Sequence, residues 1–262
     1  MTVTPLAGRT AVVTGASRGL GEVVARRLAY AGATVVITAR SPDRLDTVAG
    51  RLRSEGMTAW SIPCDVTDPA AVRALASAAA TRLGHVDILV NNAGASMSAP
   101  VQKTSLEDWQ RMLAVNATSA FLCTQAFLGA MLEHRWGRVV NVASVAGLTG
   151  SRYTSAYSAA KHALVGFTRS VAAETAGRGV TVNAVCPGYL DTPMTRETIE
   201  RVSARTGRTA AEALQAVLAA QNQPRLITPD EVAKVIVALC GEDGAALTGQ
   251  AISLEGGGVL TP

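Results

Sequence analysis

Short apolar runs alternate with longer stretches of helical periodicity along most of the chain. The runs at 10–14, 34–39, 58–63, 87–91, 138–143, 181–186 and 251–254 read as seven strands, rich in Val, Ile and Ala. Helix signals stand between them. Ser41-Pro42 and Asp68-Pro69 each place a capping side chain before a first-turn proline. Thr104-x-x-Glu107, Thr209-x-x-Glu212 and Thr228-x-x-Glu231 each read as a capping box. Strand and helix in regular alternation predict an α/β protein: one doubly wound Rossmann-type sheet of seven parallel strands, with helices on both faces. No linker or repeat divides residues 1–262, so one domain is expected. Residues 191–226 lack a strand and hold two polar helical pieces, which reads as a lid beyond the strand ends.

One segment needs a membrane test. Residues 113–132 are twenty positions without a charge, long enough to span a bilayer. They include Asn116, Thr118, Ser119, Thr124 and Gln125 and lack aromatic belts, so the expectation is a helix buried in the core or in a subunit contact.

In a parallel sheet, ligands bind beyond the carboxyl ends of the strands. Gly15, Asn91, Ser144 and Pro187 all fall there. Gly15-x-x-x-Gly19-x-Gly21 links the first strand to a helix. Missing Cβ atoms let that backbone approach a pyrophosphate, and the helix start favours its charge. Tyr157 and Lys161 lie four apart in a run of helix formers, so phenol and ammonium share one helix face. A nearby cation is expected to lower the phenol's pKa and make it a proton donor and acceptor.

Composition adds exclusions. The chain is 48% hydrophobic with a formal charge of +4, and its arginines are scattered. No basic run interleaves with aromatics, which argues against nucleic acid. The cysteines at 64, 123, 186 and 240 form no C-x-x-C and no metal spacing, and read as buried free thiols of a reducing cytosol. Residues 1–9 carry no signal-type apolar core, so the expected location is cytoplasmic. His85, His134 and His162 are separate and read as structural or solvated.

With the glycine turn, Asn91-Asn92-Ala93-Gly94 and Tyr157-x-x-x-Lys161, the chain resembles the short-chain dehydrogenase/reductase family from about Gly8 to Gly258. Asn116, Ser144 thirteen positions before Tyr157, Cys186-Pro187-Gly188 and Thr192 extend the match. The resemblance implies a catalytic set. Tyr157 is the acid/base, and Lys161 lowers its pKa and holds the nicotinamide ribose. Ser144 bonds the substrate oxygen, and Asn116 holds a water linking Lys161 to solvent. It implies a cofactor groove along Gly15, Ser17, Arg18, Gly19, Leu20 and Gly21. Asp65 with Val66 would meet the adenine, and Asn92, Ala93 and Gly94 the adenosine ribose. Pro187, Gly188 and Tyr189, with Thr192, would seat the carboxamide. Ser96, Met97 and Tyr189 are expected to line the substrate pocket.

An acidic residue at the second strand's end would bind the 2′-hydroxyl of NAD. Ala39-Arg40 stands there instead. Arg40 and Arg18 predict a clamp on a 2′-phosphate, so NADP(H) is expected ahead of NAD(H). The implied activity is an NADPH-dependent ketoreductase acting on a 3-oxoacyl thioester or a related carbonyl. The alternative is an NAD-dependent alcohol, 3-hydroxybutyrate or sugar-alcohol dehydrogenase. A nucleotide sensor is disfavoured by the complete Asn116, Ser144, Tyr157, Lys161 set. The resemblance also implies a homotetramer.

Overall fold

The computed structural model describes residues 4–258. Seven parallel strands form one sheet: β1 (Thr10–Thr14), β2 (Thr34–Thr38), β3 (Ala59–Ser61), β4 (Ile88–Asn91), β5 (Gly137–Val142), β6 (Val180–Pro187) and β7 (Ala251–Leu254). Their spatial order is β3-β2-β1-β4-β5-β6-β7. The direction of strand addition reverses between β1 and β4, which opens a crevice at their carboxyl ends.

Alternate side chains feed two cores. Ala11, Val13, Val35, Ile37, Ile88 and Val90 face α1 (Gly19–Tyr30), α2 (Pro42–Ser54) and α9 (Pro229–Cys240). Val12, Val36, Leu89, Val139 and Val182 face α3 (Pro69–Leu83), α5 (Ser119–Glu133) and α6 (Ser155–Thr175). The strands are buried on both sides, which is why they read as continuous apolar runs. Two further helices, α7 (Pro193–Thr206) and α8 (Ala210–Ala219), stand between β6 and α9.

The uncharged segment lies in a continuous helical run, Leu106–Glu133, that passes a length and hydropathy test for a membrane span. It is α4 (Leu106–Leu113), a π-helical turn (Ala114–Thr118) and α5. Cys123, Phe127 and Met131 pack into the sheet core as expected, while Leu106, Trp109 and Phe121 are exposed.

Local expectations shift in three places. The capping box expected at Thr104 and Glu107 does not form; the cap sits one residue later and is one-way: Ser105 is the N-cap and accepts from the Asp108 N–H, while Thr104 donates to the Pro100 carbonyl. Both residue pairs suit a cap, and the helix start selects the second. Ser41 stands at the N-cap of α2, but its side chain makes no capping bond. β3 is half the expected length, because only Ala59, Trp60 and Ser61 reach a partner on the one side available to an edge strand. The boxes at Thr209 and Thr228 form as read.

Candidate active site

Every predicted catalytic and cofactor-binding residue lines one groove along the carboxyl ends of the strands, with a cavity of about 690 Å³. That is the size of a site for a small organic ligand. Gly15, Ser17, Arg18, Gly19, Leu20 and Gly21 form its floor at one end, with Arg40, Asp65, Val66, Asn92, Ala93 and Gly94 beside them. Asn116, Ser144, Tyr157, Lys161, Pro187, Gly188, Tyr189 and Thr192 line the other end, near Ser96 and Met97.

The first turn is fixed by close packing. Gly15 and Gly19 have φ of 65° and 62°, a region that favours glycine. A Cβ on Gly15 would lie 2.8 Å from the Ala93 Cα, and one on Gly21 would strike the Asn92 amide. The Asn92 Nδ2 donates to the carbonyls of Thr14 (2.8 Å) and Gly15 (3.2 Å), and the Thr14 hydroxyl accepts from the N–H groups of Asn92 and Ala93. Asn92 thus spends its amide nitrogen on holding the turn. No side chain caps α1: Arg18 occupies the N-cap without a capping bond. The first N–H groups of α1 open onto the groove, and this cradle fits a dinucleotide pyrophosphate.

The cation clamp differs from expectation. Arg18 donates to Glu197 of α7 at 2.9 Å, so its charge is already shared with a carboxylate 179 positions away. Arg40 lines the groove with Arg44 one turn further on, and among the described residues neither has a carboxylate hydrogen-bonded to it. Arg44 went unread in the sequence because no local signal shows that this side of the first turn of α2 lines the groove. The Arg40 charge, with two hydrogen bonds from Thr67, holds the Asp65 carboxyl below its usual range, the Thr67 bonds being the stronger cause.

At the other end a buried polar chain sets the height of α6. Asn91 Nδ2 donates to Thr124 on α5 and to Asn141 on β5, and Asn141 donates to Thr168 on α6. Tyr157 and Lys161 ride on that helix. The Lys161 ammonium donates to the Val142 carbonyl at 2.8 Å and lies 5.8 Å from the Tyr157 ring centre. Asn116 accepts from the Ala95 N–H at 3.2 Å and donates to the carbonyls of Ala95 and Met112. A Cβ on Gly94 would sit 2.8 Å from the Asn116 Oδ1 and 3.6 Å from the Lys161 Nζ, so this glycine admits both groups to one spot.

A buried glutamine in the 221–224 loop, to which the sequence assigns no role of its own, holds the next wall. Gln223 accepts from the Tyr189 N–H (2.7 Å) and donates to the Tyr189 and Arg225 carbonyls. A Cβ on Gly188 would run into its Oε1. Only its near-complete burial marks it out, and burial is not legible in a loop. Besides Gln223, residues 191–226 touch the rest of the groove through polar contacts: Arg18 to Glu197 and Arg205 to the Ser98 carbonyl (3.2 Å), both exposed, and the part-buried Gln221 to Ser151 (3.5 Å). The histidines lie elsewhere: His85 and His134 stack at 4.2 Å, and His162 bonds the Ser158 carbonyl. All four cysteines are buried and unpaired.

Burial dominates the ionisation of the pair. It pushes the Tyr157 phenol up to about 12, against a hydrogen bond with Ser144 that lowers it. It pushes Lys161 down to about 8. The expected lowering of the phenol by Lys161 does not appear, because the ammonium is directed at Val142 and desolvation outweighs its field. With its pKa near 8, Lys161 is still charged in about nine molecules of ten at pH 7. Its folded pKa lies below the ordinary 10.5, so between these values the unfolded chain holds a proton that the folded one releases. Stability from this group therefore rises with pH across that window, and the burial cost is full below pH 8. Melting temperatures of the wild type relative to Lys161→Met should rise between pH 8 and 10; parallel curves would refute the assigned shift.

The model of the short chain dehydrogenase family matches residues 9–203. The D-beta-hydroxybutyrate dehydrogenase of Rhizobium meliloti (strain 1021) is 38% identical over 254 residues, covering 95% of this chain and 98% of that protein. The 3-oxoacyl-(acyl-carrier-protein) reductase FabG of Aquifex aeolicus (strain VF5) is 38% identical over 253 residues, covering 96% and 98%. A crystal structure of a variant actinorhodin polyketide ketoreductase with NADPH superposes with a TM-score of 0.91 at 39% identity, covering 95% of this chain and 96% of that one. Family model, relatives and seven-stranded sheet agree: the chain belongs to the short-chain dehydrogenase/reductase family and is an NAD(P)-dependent oxidoreductase acting on CH–OH donors.

Proposed function

We propose that the protein is an NADPH-dependent ketoreductase, interconverting a 3-oxoacyl thioester or a related ketone with its secondary alcohol. The observation that carries the reading is the convergence of Asn116, Ser144, Tyr157 and Lys161 on one groove wall, beside an uncapped helix start that suits a dinucleotide. When bound, the nicotinamide supplies or takes up the hydride.

The chain's own residues do the rest. Tyr157 donates its phenolic proton to the carbonyl oxygen as the alcohol forms, and accepts it in reverse. A phenol held neutral by burial has its proton ready for that step. Ser144, on the same groove wall, donates to the same oxygen and fixes it. Lys161 keeps a positive charge beneath the site, and Asn116 anchors the 95–112 wall next to it. The Gly188–Tyr189 backbone, clamped by Gln223, seats the carboxamide together with Thr192. Residues 191–226 close over the substrate in a chain organised as one domain. Arg40 and Arg44 receive the 2′-phosphate, with Arg18 beside them.

Dehydrogenation of a short 3-hydroxy acid is the second reading, favoured by the relative named D-beta-hydroxybutyrate dehydrogenase. The homotetramer is supported by the apolar outer face of the α4–α5 run, where exposed Phe121 meets Phe167 of α6 edge-on at 6.1 Å.

Three measurements test these proposals. Tyr157→Phe should lower kcat roughly a hundredfold to ten-thousandfold, the worth of a positioned general acid, with NADPH affinity by fluorescence kept; unchanged turnover removes the phenol from the chemistry. Arg40→Ala should raise the NADPH KM by about tenfold to a hundredfold, the worth of one charge-assisted bond, and leave the NADH KM in place. An unaltered NADPH KM overturns the cofactor choice. Sedimentation at micromolar protein should give a tetramer, and a monomer contradicts the assembly.

A further inference from the structure

The arginines of residues 191–226 are not alike. Arg196 pairs with Asp191 at 3.0 Å, Arg225 pairs with Glu231, and Arg205 reaches the Ser98 carbonyl; all three are exposed. Arg201 on α7 is half-buried and lines the groove. Its Nη2 donates to the Thr198 hydroxyl at 2.9 Å, and among the described residues no carboxylate pairs with it. The other arginine on this part of the wall, Arg111, is neutralised by Asp108 at 2.6 Å.

A guanidinium drawn partly out of water without a counter-charge is held at a cost. Its one hydrogen-bond partner among the described residues, Thr198, is neutral. Burial raises the Tyr189 phenol, and the Arg201 charge acts the other way. The guanidinium lines the same groove as Tyr157, and most of its donor fork is unspent. That fork matches the paired oxygens of a carboxylate or phosphate.

Resting on the ketoreductase reading above, we infer that Arg201 is a specificity residue that receives an oxyanion carried by the substrate. The chemistry on offer is the carboxylate of a short 3-oxo or 3-hydroxy acid, or a phosphate on the arm of a thioester. Neutral ketones of the same carbon skeleton lack the partner that would discharge the cost at Arg201.

Calorimetric titration of the NADP⁺-loaded enzyme tests this, with acetoacetate, acetoacetyl-CoA and the neutral ethyl acetoacetate as probes. Wild type should bind at least one of the two anions about tenfold or more tightly than the ester, the worth of a charge-assisted bond. Arg201→Gln should remove that ratio and Arg201→Lys should restore most of it. A loss confined to acetoacetate identifies the carboxylate, and one confined to the thioester identifies the phosphate. Equal affinity of wild type for anion and ester, or an unaltered ratio in Arg201→Gln, overturns the inference. Anion binding that follows Arg201 while no ketone is reduced defeats the ketoreductase reading and leaves the Arg201 assignment standing.

Discussion

Four hydrogen bonds between Thr14-Gly15 and Asn92-Ala93 hold β1 and β4 together where their chains part. Beyond this point β1 turns into α1 on one face of the sheet, and the chain after β4 passes toward α4. Two backbones leaving in different directions expose polar groups that need partners. The Thr14 hydroxyl and the Asn92 amide supply them internally. Gly15 and Gly21 are glycines because this interlock leaves no room for a Cβ. The open start of α1, the groove floor and the position of Gly94 all follow from it. The glycine cradle at the start of α1 is thus a by-product of satisfying the backbone at a strand reversal.

A second constraint acts across the sheet. Asn91 and Asn141 are register partners in β4 and β5, and their side chains continue to Thr124 and Thr168. Amides inside an apolar layer tolerate few arrangements, since each lost bond leaves a buried polar group unmet. The chain therefore pins α5 and α6 to one height against the strands. That pinning brings Lys161 under the Val142 carbonyl and Asn116 against Ala95. Placement of the reactive pair depends on polar specificity, while the apolar contacts of α6 supply adhesion.

Much of this was legible because the relevant signals are local. Strand periodicity, the glycine turn and the Tyr157–Lys161 spacing each lie within one element, and the sheet's topology then carries them to one rim. Features set by distant partners were not legible. Glu197 takes up Arg18, Gln223 clamps Tyr189, and the buried surroundings of Tyr157 reverse the expected shift of its phenol. The cap at Ser105 and the short β3 failed for a milder reason: adjacent residues offer equivalent local chemistry, and tertiary contact selects among them.

The side-chain contacts of α7 with the opposite groove wall, Glu197 to Arg18 and Arg205 to the Ser98 carbonyl, are few, polar and exposed, whereas the glycine turn is built into the sheet's own interlock. Solvent-exposed pairs of this kind contribute little to folding. Substitutions in α7 and α8 thus draw on a different reserve from those in the glycine turn. Novelty in what the chain accepts can be explored there at small risk to the fold, while the hydride machinery stays sheltered from the search. The sheet thus leaves the outer surface of α7 and α8 open to change while the strand reversal stays fixed.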